Sequence, residues 1–465
     1  MAKPRSTDDP SVFGVRTRRS HRRAGLALIT SSLLSASAAW GAANHAVAGI
    51  PGVPADAVIR GQEVDCPRPA APASVDGPSN EAEPVETAED AGVDVALVRY
   101  PRPEGEGDPW SQWGQGLVLP DGRFVSAMGD HRGPDGDSYL FVYDPETQRL
   151  TRFADVLSLV EHEPGAWGYG KIHGQIVAGP CGEAYFSTYW GDQSDEMYTS
   201  TYRGDLLFRL DARLEPKPLG APVAEHGIPS LAAFAPDGLV YGEATDPKRF
   251  DEELEDDHGT FFVYDIQRDE VVFRSDEAAH IGFRSILVDK KGRAYLAARD
   301  GRLLVWEPGS KELRVHDATL PGGGWLRAST RPAPDGTVYG VTREPNELFA
   351  LRRDGSIRSL GSARGYTTSL ALTPDGSRVF YVPGAHGDAW EQGTPVIAVD
   401  TKTGEQEVIV ELNDLAEEQL GLTLGGSYNV VLDPSGDRLY VGLNAGKDRD
   451  EPWGEVVLAV IDLSP

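Results

Sequence analysis

The sequence predicts an all-β fold, a seven-bladed β-propeller of four-stranded antiparallel blades closed by an N-terminal strand, and three observations carry the prediction. The first is a phrase that returns along the chain. Between Gly116 and Ala127, alternating apolar residues flank a turn at Pro120, Asp121 and Gly122, which is the pattern of a β-hairpin. Its copies turn at Gly182, Gly238, Gly292, Gly336, Gly376 and Gly436, so with Gly122 they are spaced by 60, 56, 54, 44, 40 and 60 residues. The second observation is an apolar-acidic corner that ends a third strand, at Tyr143-Asp144, Leu210-Asp211, Tyr264-Asp265, Trp306-Glu307, Val399-Asp400 and Ile461-Asp462. The third is a strand pattern at residues 93–100 with no hairpin partner, while the seventh repeat stops at Pro465 just after its third corner. Residues 93–100 are therefore expected to supply the outer strand of the last blade, which removes the open sheet edges that invite aggregation. Residues 93–465 give about 53 residues per blade, within the range of such repeats.

Length and composition agree with one large, turn-rich β domain. The chain has 465 residues, 40% hydrophobic, with 53 glycines and 34 prolines. A formal net charge of −28 argues against nucleic acid as a partner, because phosphate backbones are held by clustered Lys and Arg. Two cysteines, Cys66 and Cys181, allow no metal-ligand spacing by themselves. In an exported protein they could pair; the other reading is two unconnected thiols.

The N-terminus carries Arg16, Arg18, Arg19, Arg22 and Arg23 ahead of a small, apolar run from Ala24 to Leu34. That is a basic region before an apolar core, so residues 1–48 are expected to be a signal peptide cleaved after Ala48. The run is short for a stable membrane span and is diluted by Ser and Thr, so removal is expected over anchoring, and a secreted or periplasmic location follows. Residues 49–92, rich in Pro, Ala, Glu and Asp, are expected to be a disordered linker, because few large apolar residues are present to offset the entropy of ordering. A monomer with no stable membrane span is expected.

On these turns, residues 93–465 resemble the superfamily of secreted propellers that includes gluconolactonase-like, NHL-type, streptogramin-lyase-like and propeller polysaccharide-lyase proteins. In such rings ligands usually bind where the innermost strands begin and where the loops between second and third strands rise. The resemblance therefore directs attention to Trp113 and Gln115, to Tyr169, Lys171 and His173, to Ser230, Arg284, Trp325, Arg327 and Tyr366, and to Tyr428 and Asn429. The loops add His131, Arg132, Tyr189, Trp190, Tyr202, Arg203, Arg299, Arg343, His386, Trp390 and Trp453. This crown is aromatic and basic although the chain is acidic, so the ligand it suits is anionic and contains a ring, such as a uronic-acid glycan.

A polysaccharide lyase needs a base, an acid and a cation to neutralise the uronate. His173 or His131 as base, Tyr189 as acid, and Arg284 or Arg327 as neutraliser would supply these roles, with Trp113, Tyr169, Lys171, Trp190, Trp325, Tyr366, Tyr428 and Asn429 as ligand-binding residues. The bland alternatives are that His173 hydrogen-bonds across the channel, that Trp113, Trp325 and Tyr428 pack between blades, and that the arginines pair with carboxylates. A non-catalytic binding or scaffold propeller is the second reading of the whole crown. A metal-dependent lactone or ester hydrolase is the third, although of the inner positions only Asn429 has the side chain that the gluconolactonase resemblance demands. Calcium would suit the oxygen-rich loops at 129–137 and 251–257, but neither has the full spacing of a calcium loop, and no cofactor is assigned. No nucleophile elbow or phosphate-binding glycine loop is present.

Overall fold

A computed structural model describes residues 47–48, 75–85, 92–103, 110–191, 201–245, 258–279, 285–298 and 301–464. Each repeat is an antiparallel meander of four strands, and seven such sheets stand side by side. The first comprises Leu117–Val118, Phe124–Gly129, Ser138–Asp144 and Arg149–Asp155. The others repeat this order, with innermost strands at Val177–Ala178, Gly227–Phe234, Leu287–Val288, Trp325–Ser329, Ala371–Leu372 and Thr423–Leu432. A single α-helix occurs among the described residues, Asn413–Leu420, between the sixth and seventh blades.

The recurrent turns have a stereochemical cause. Gly122, Gly182, Gly238, Gly292, Gly336, Gly376 and Gly436 all have positive φ, between 64° and 93°, a conformation that a side chain would strain. The aspartate of the turn then binds the chain beyond it: Asp121 Oδ1 accepts from the Arg123 amide at 3.1 Å, Asp335 Oδ1 from Thr337 at 2.9 Å, and Asp433 Oδ1 from Gly436 at 2.9 Å. The acidic corners work in the same way at the third strand. Asp144, Asp211, Asp265 and Asp400 each accept amide hydrogens two to four residues onward, so they close the outer hairpins.

Ring closure follows the sequence expectation. Asp94–Arg99 pairs antiparallel with Glu455–Asp462, from Val457 opposite Arg99 to Asp462 opposite Asp94. The core consists of seven apolar layers, one between each pair of adjacent blades. The layer holding Val95, Leu97, Phe380 and Val396 joins the sixth blade to the seventh, and that holding Val98, Tyr100, Phe124 and Tyr440 joins the seventh to the first. Phe124 and Tyr440 stack with ring centroids 4.7 Å apart. The first and last blades are thus bonded as fully as any other neighbours.

Two features depart from the expected linker. Ser79–Glu81 adds a fifth strand to the first blade, and Glu83–Val85 adds one to the last, against Asp94–Arg99. Edge pairing uses backbone groups, so an acidic, proline-containing stretch can take part without an apolar face. Most of the expected signal peptide, and linker residues 49–74 and 86–91, lie outside the described residues; Val47–Ala48 pairs with the outer strand of the fourth blade. Cys181 is disulfide-bonded, and the other cysteine of the chain, Cys66, lies outside the described residues.

Candidate functional site

One face of the ring carries the glycine turns and the other carries the starts of the innermost strands, so residues at those starts face one axis. The chain before the first innermost strand is held by a bridge from Ser111 to Gly129, and that before the second by a bridge from Lys171 to Tyr189. These bridges place Trp113 and His173 at the top of the channel. Trp113 donates its indole N–H to Ser111 Oγ at 2.6 Å and is the hub of the crown. Its ring lies 5.4 Å from His131, 6.3 Å from His173, 4.9 Å from Tyr428, 6.4 Å from His386 and 5.8 Å from Trp453, by centroids. Lys171 Nζ stands 4.7 Å from the same ring, close enough for a cation–π contact worth about 0.5–2 kcal/mol.

His173 has a defined tautomer. Its Nδ1 lies 2.9 Å from the Pro229 carbonyl, which can only accept, so Nδ1 carries the hydrogen and the lone pair of the neutral ring is on Nε2. The ring lies 5.0 Å from that of Tyr189, which stacks in turn on Trp190 at 4.0 Å. Across the axis, Tyr428 and His386 share a hydrogen bond of 3.0 Å, and His386 stacks on Tyr366 at 4.6 Å.

Arg327 sits among these rings with 4% of its surface exposed. Its Nε donates to the Tyr366 hydroxyl at 2.6 Å, and its guanidinium lies 5.3 Å from the Tyr366 ring and 5.9 Å from the Tyr428 ring. Among the described residues no carboxylate is paired with it, and Nη2 is buried without a hydrogen-bond partner. An uncompensated guanidinium in such surroundings is costly to the fold. Arg343 flanks the other side, 5.0 Å from Tyr366 and 5.9 Å from Trp325.

Of the residues singled out from sequence, Trp113, Lys171, His131, His173, Tyr189, Arg327, Tyr366 and Tyr428 therefore form one chain of contacts, and Trp190 and Trp325 border it. Asn429 is fully buried, and its Oδ1 accepts from the Gly116 amide at 2.8 Å, which ties the last blade to the first. Tyr169 is half-buried against the layer between the first two blades, and burial pushes its hydroxyl up to about 12. Ser230 donates to Glu243 at 2.9 Å, Tyr202 to Asp205 at 2.7 Å, and Trp390 lies under Arg449. Arg284 and Arg299 lie outside the described residues. In the loop at 129–137, Asp130 is held by Arg132 at 2.6 Å, Asp135 by His162 at 2.9 Å and Asp137 by the amides of Ser138 and Leu157. Among the described residues there is no group of three or more His, Cys, Asp or Glu side chains arranged to hold a metal ion. The loop at 251–257 lies outside them.

Asp205 is a residue that sequence reasoning passed over. Entirely buried, it accepts from Tyr202 and, at 2.8 Å, from Thr188, the neighbour of Tyr189, and so fixes the wall behind the crown. Desolvation pushes its carboxyl up to about 7, and the same cause pushes Asp137 up to about 7. Because the unfolded carboxyl releases its proton near pH 4, the folded chain holds more protons between about pH 4 and 7, and stability falls as pH rises through that window. Melting curves of Asp205→Asn across that range are expected to show a shallower pH slope than the wild type. Parallel slopes would remove Asp205 from this account.

Comparison with solved structures shows the same architecture. An oligogalacturonate lyase in complex with manganese superposes with a TM-score of 0.50 at 12% identity, covering 84% of this chain and 99% of that one. The protein is a seven-bladed β-propeller. A catalytically inactive variant of virginiamycin B lyase from Staphylococcus aureus, with quinupristin, superposes at 0.49 with 8% identity, covering 80% of this propeller and all of that chain. A streptogramin B lyase gives 0.48 at 9% identity, covering 81% of this propeller and all of that chain. At these identities the likeness is one of fold. No family model and no curated protein matches the sequence. Among the described residues of the propeller, no helix is long and apolar enough to cross a membrane.

Proposed function

We propose that this propeller is exported and that its crown binds a uronate-containing glycan and cleaves it by β-elimination, as a polysaccharide lyase. The observation that carries the proposal is Arg327, a guanidinium buried among aromatic rings with no described carboxylate to neutralise it. A sugar carboxylate would satisfy Nη2, while the partly exposed rings of Tyr366 and Trp453 suit pyranose rings. The fold is also one on which an oligogalacturonate lyase is built.

The chemistry follows from the tautomer of His173. Nε2 takes the proton on the carbon beside the uronate carboxylate, Arg327 stabilises the negative charge that develops on that group, and the bond to the leaving sugar oxygen breaks. Tyr189, adjacent to His173, returns a proton to that oxygen. The non-catalytic reading is favoured by a separate observation: His173, Tyr189 and Arg327 are only 4%, 2% and 4% exposed, so a ligand held at the rim by His131, Arg132, His386 and Trp453 would reach none of the three without movement of the crown.

Incubation with a panel of acidic polysaccharides distinguishes the two. The lyase reading expects unsaturated products that absorb in the ultraviolet, and a loss of about 100-fold or more in rate on changing His173 to Ala, as for removal of a general base. Saturable binding without product from any glycan would leave the scaffold reading. Activity abolished by a chelator and restored by a divalent cation would instead indicate a metal-dependent reaction.

A further inference from the structure

A cavity lies on the channel axis, below the crown and toward the face of the glycine turns. It measures about 400 Å³, and the innermost strands of all seven blades line it. That volume lies in the range of sites for small organic ligands. Its walls are apolar, with Leu117, Ile176, Val288, Leu372 and Val431 among them. At the crown end stand Gln115, Gln175, Ser285 and Ser329, whose hydrogen bonds run between blades: Gln115 Nε2 donates to the Val430 carbonyl at 2.8 Å, Ser329 Oγ to the Ile286 carbonyl at 3.1 Å, and Gln175 Oε1 accepts from the Leu231 amide at 3.3 Å.

Arg331 is the only charged side chain that lines the cavity among the described residues. Its Nη2 reaches across from the fifth blade to the Leu372 carbonyl of the sixth at 3.3 Å, so the guanidinium is turned along the channel wall. No acidic residue is among the lining, in a chain whose formal charge is −28. An apolar tube with one cation and no described carboxylate selects an apolar body that carries one negative charge. We propose that this lower channel is a binding site for a small monocarboxylic acid, its carboxylate on Arg331 and its hydrocarbon part against the apolar walls. This site is separate from the crown and does not depend on the reading of the crown.

Titration calorimetry with octanoate, and with octanol as its uncharged counterpart, tests the assignment. Wild type is expected to bind octanoate saturably at one site and octanol more weakly. Arg331→Gln should weaken octanoate about tenfold, the scale of a lost charge-assisted hydrogen bond. Ala233→Trp fills the channel from a position that is only partly buried and lies outside the apolar layers between blades, so the fold should melt as the wild type does while octanoate binding disappears. Arg327→Gln, in the crown, should bind octanoate as the wild type does. Failure of wild type to bind octanoate, equal binding of octanol, or undiminished binding in a folded Ala233→Trp would each overturn the proposal.

Discussion

Arg327→Gln is expected to weaken the binding of an oligouronate by about 100-fold, which corresponds to a charge-assisted contact in a desolvated site. The same substitution should leave the melting temperature unchanged or raise it. Both halves follow from the surroundings of the side chain. A guanidinium that is 4% exposed, with Nη2 unpartnered and no described carboxylate beside it, is a cost to folding that a bound anion would offset. Glutamine keeps a donor for the Tyr366 hydroxyl and removes the charge. Equilibrium titration together with calorimetric melting measures the two effects on one sample. A variant that binds as wild type does, or that loses stability as a packing residue would, contradicts this role.

The second large effect concerns closure of the ring. Leu97→Asp should destabilise the propeller by about 3–5 kcal/mol and lower soluble yield sharply, because it places an unpaired charge in the layer between the sixth and seventh blades. Leu97 is 1% exposed and belongs to the strand that pairs the beginning of the propeller directly with Glu455–Asp462 of its last blade. Asp94→Asn, on the same strand but at its exposed end, should change stability by less than about 0.5 kcal/mol. Chemical denaturation of the pair separates loss of closure from a general sensitivity of the segment.

How far the sequence disclosed these features depended on the physics of each. The seven turns were legible because positive φ demands glycine and most of the turns carry an aspartate that caps them, so composition and geometry coincide at Gly122 and its counterparts. The closing strand was legible because a repeat with a missing strand and an unpaired strand elsewhere have one economical solution. The crown was legible as a set of positions, since the starts of innermost strands share one face. Its depth was not: nothing in the residue types told that Trp113 and Tyr189 would both lie against a buried His173, while Asn429, from the same kind of position, would bond Gly116. Asp205 was one acid among 72 acidic residues, and only folding brings it against Thr188 and Tyr202. The edge strands at Ser79–Glu81 and Glu83–Val85 gave no apolar signal because they pair through the backbone. The lower channel had no signature either, since it is formed by the edges of seven strands far apart in sequence.

The claim on which the functional account turns is that the crown recognises a negative charge on a ring. Its most direct measurement is a pair of titrations of the wild-type protein, one with an oligogalacturonate and one with the same oligosaccharide after its carboxyl groups have been reduced to alcohols. Saturable binding of the acidic sugar is expected, with at least about 100-fold weaker binding of the neutral one. Equal affinity for the two, or no binding of either, would contradict it.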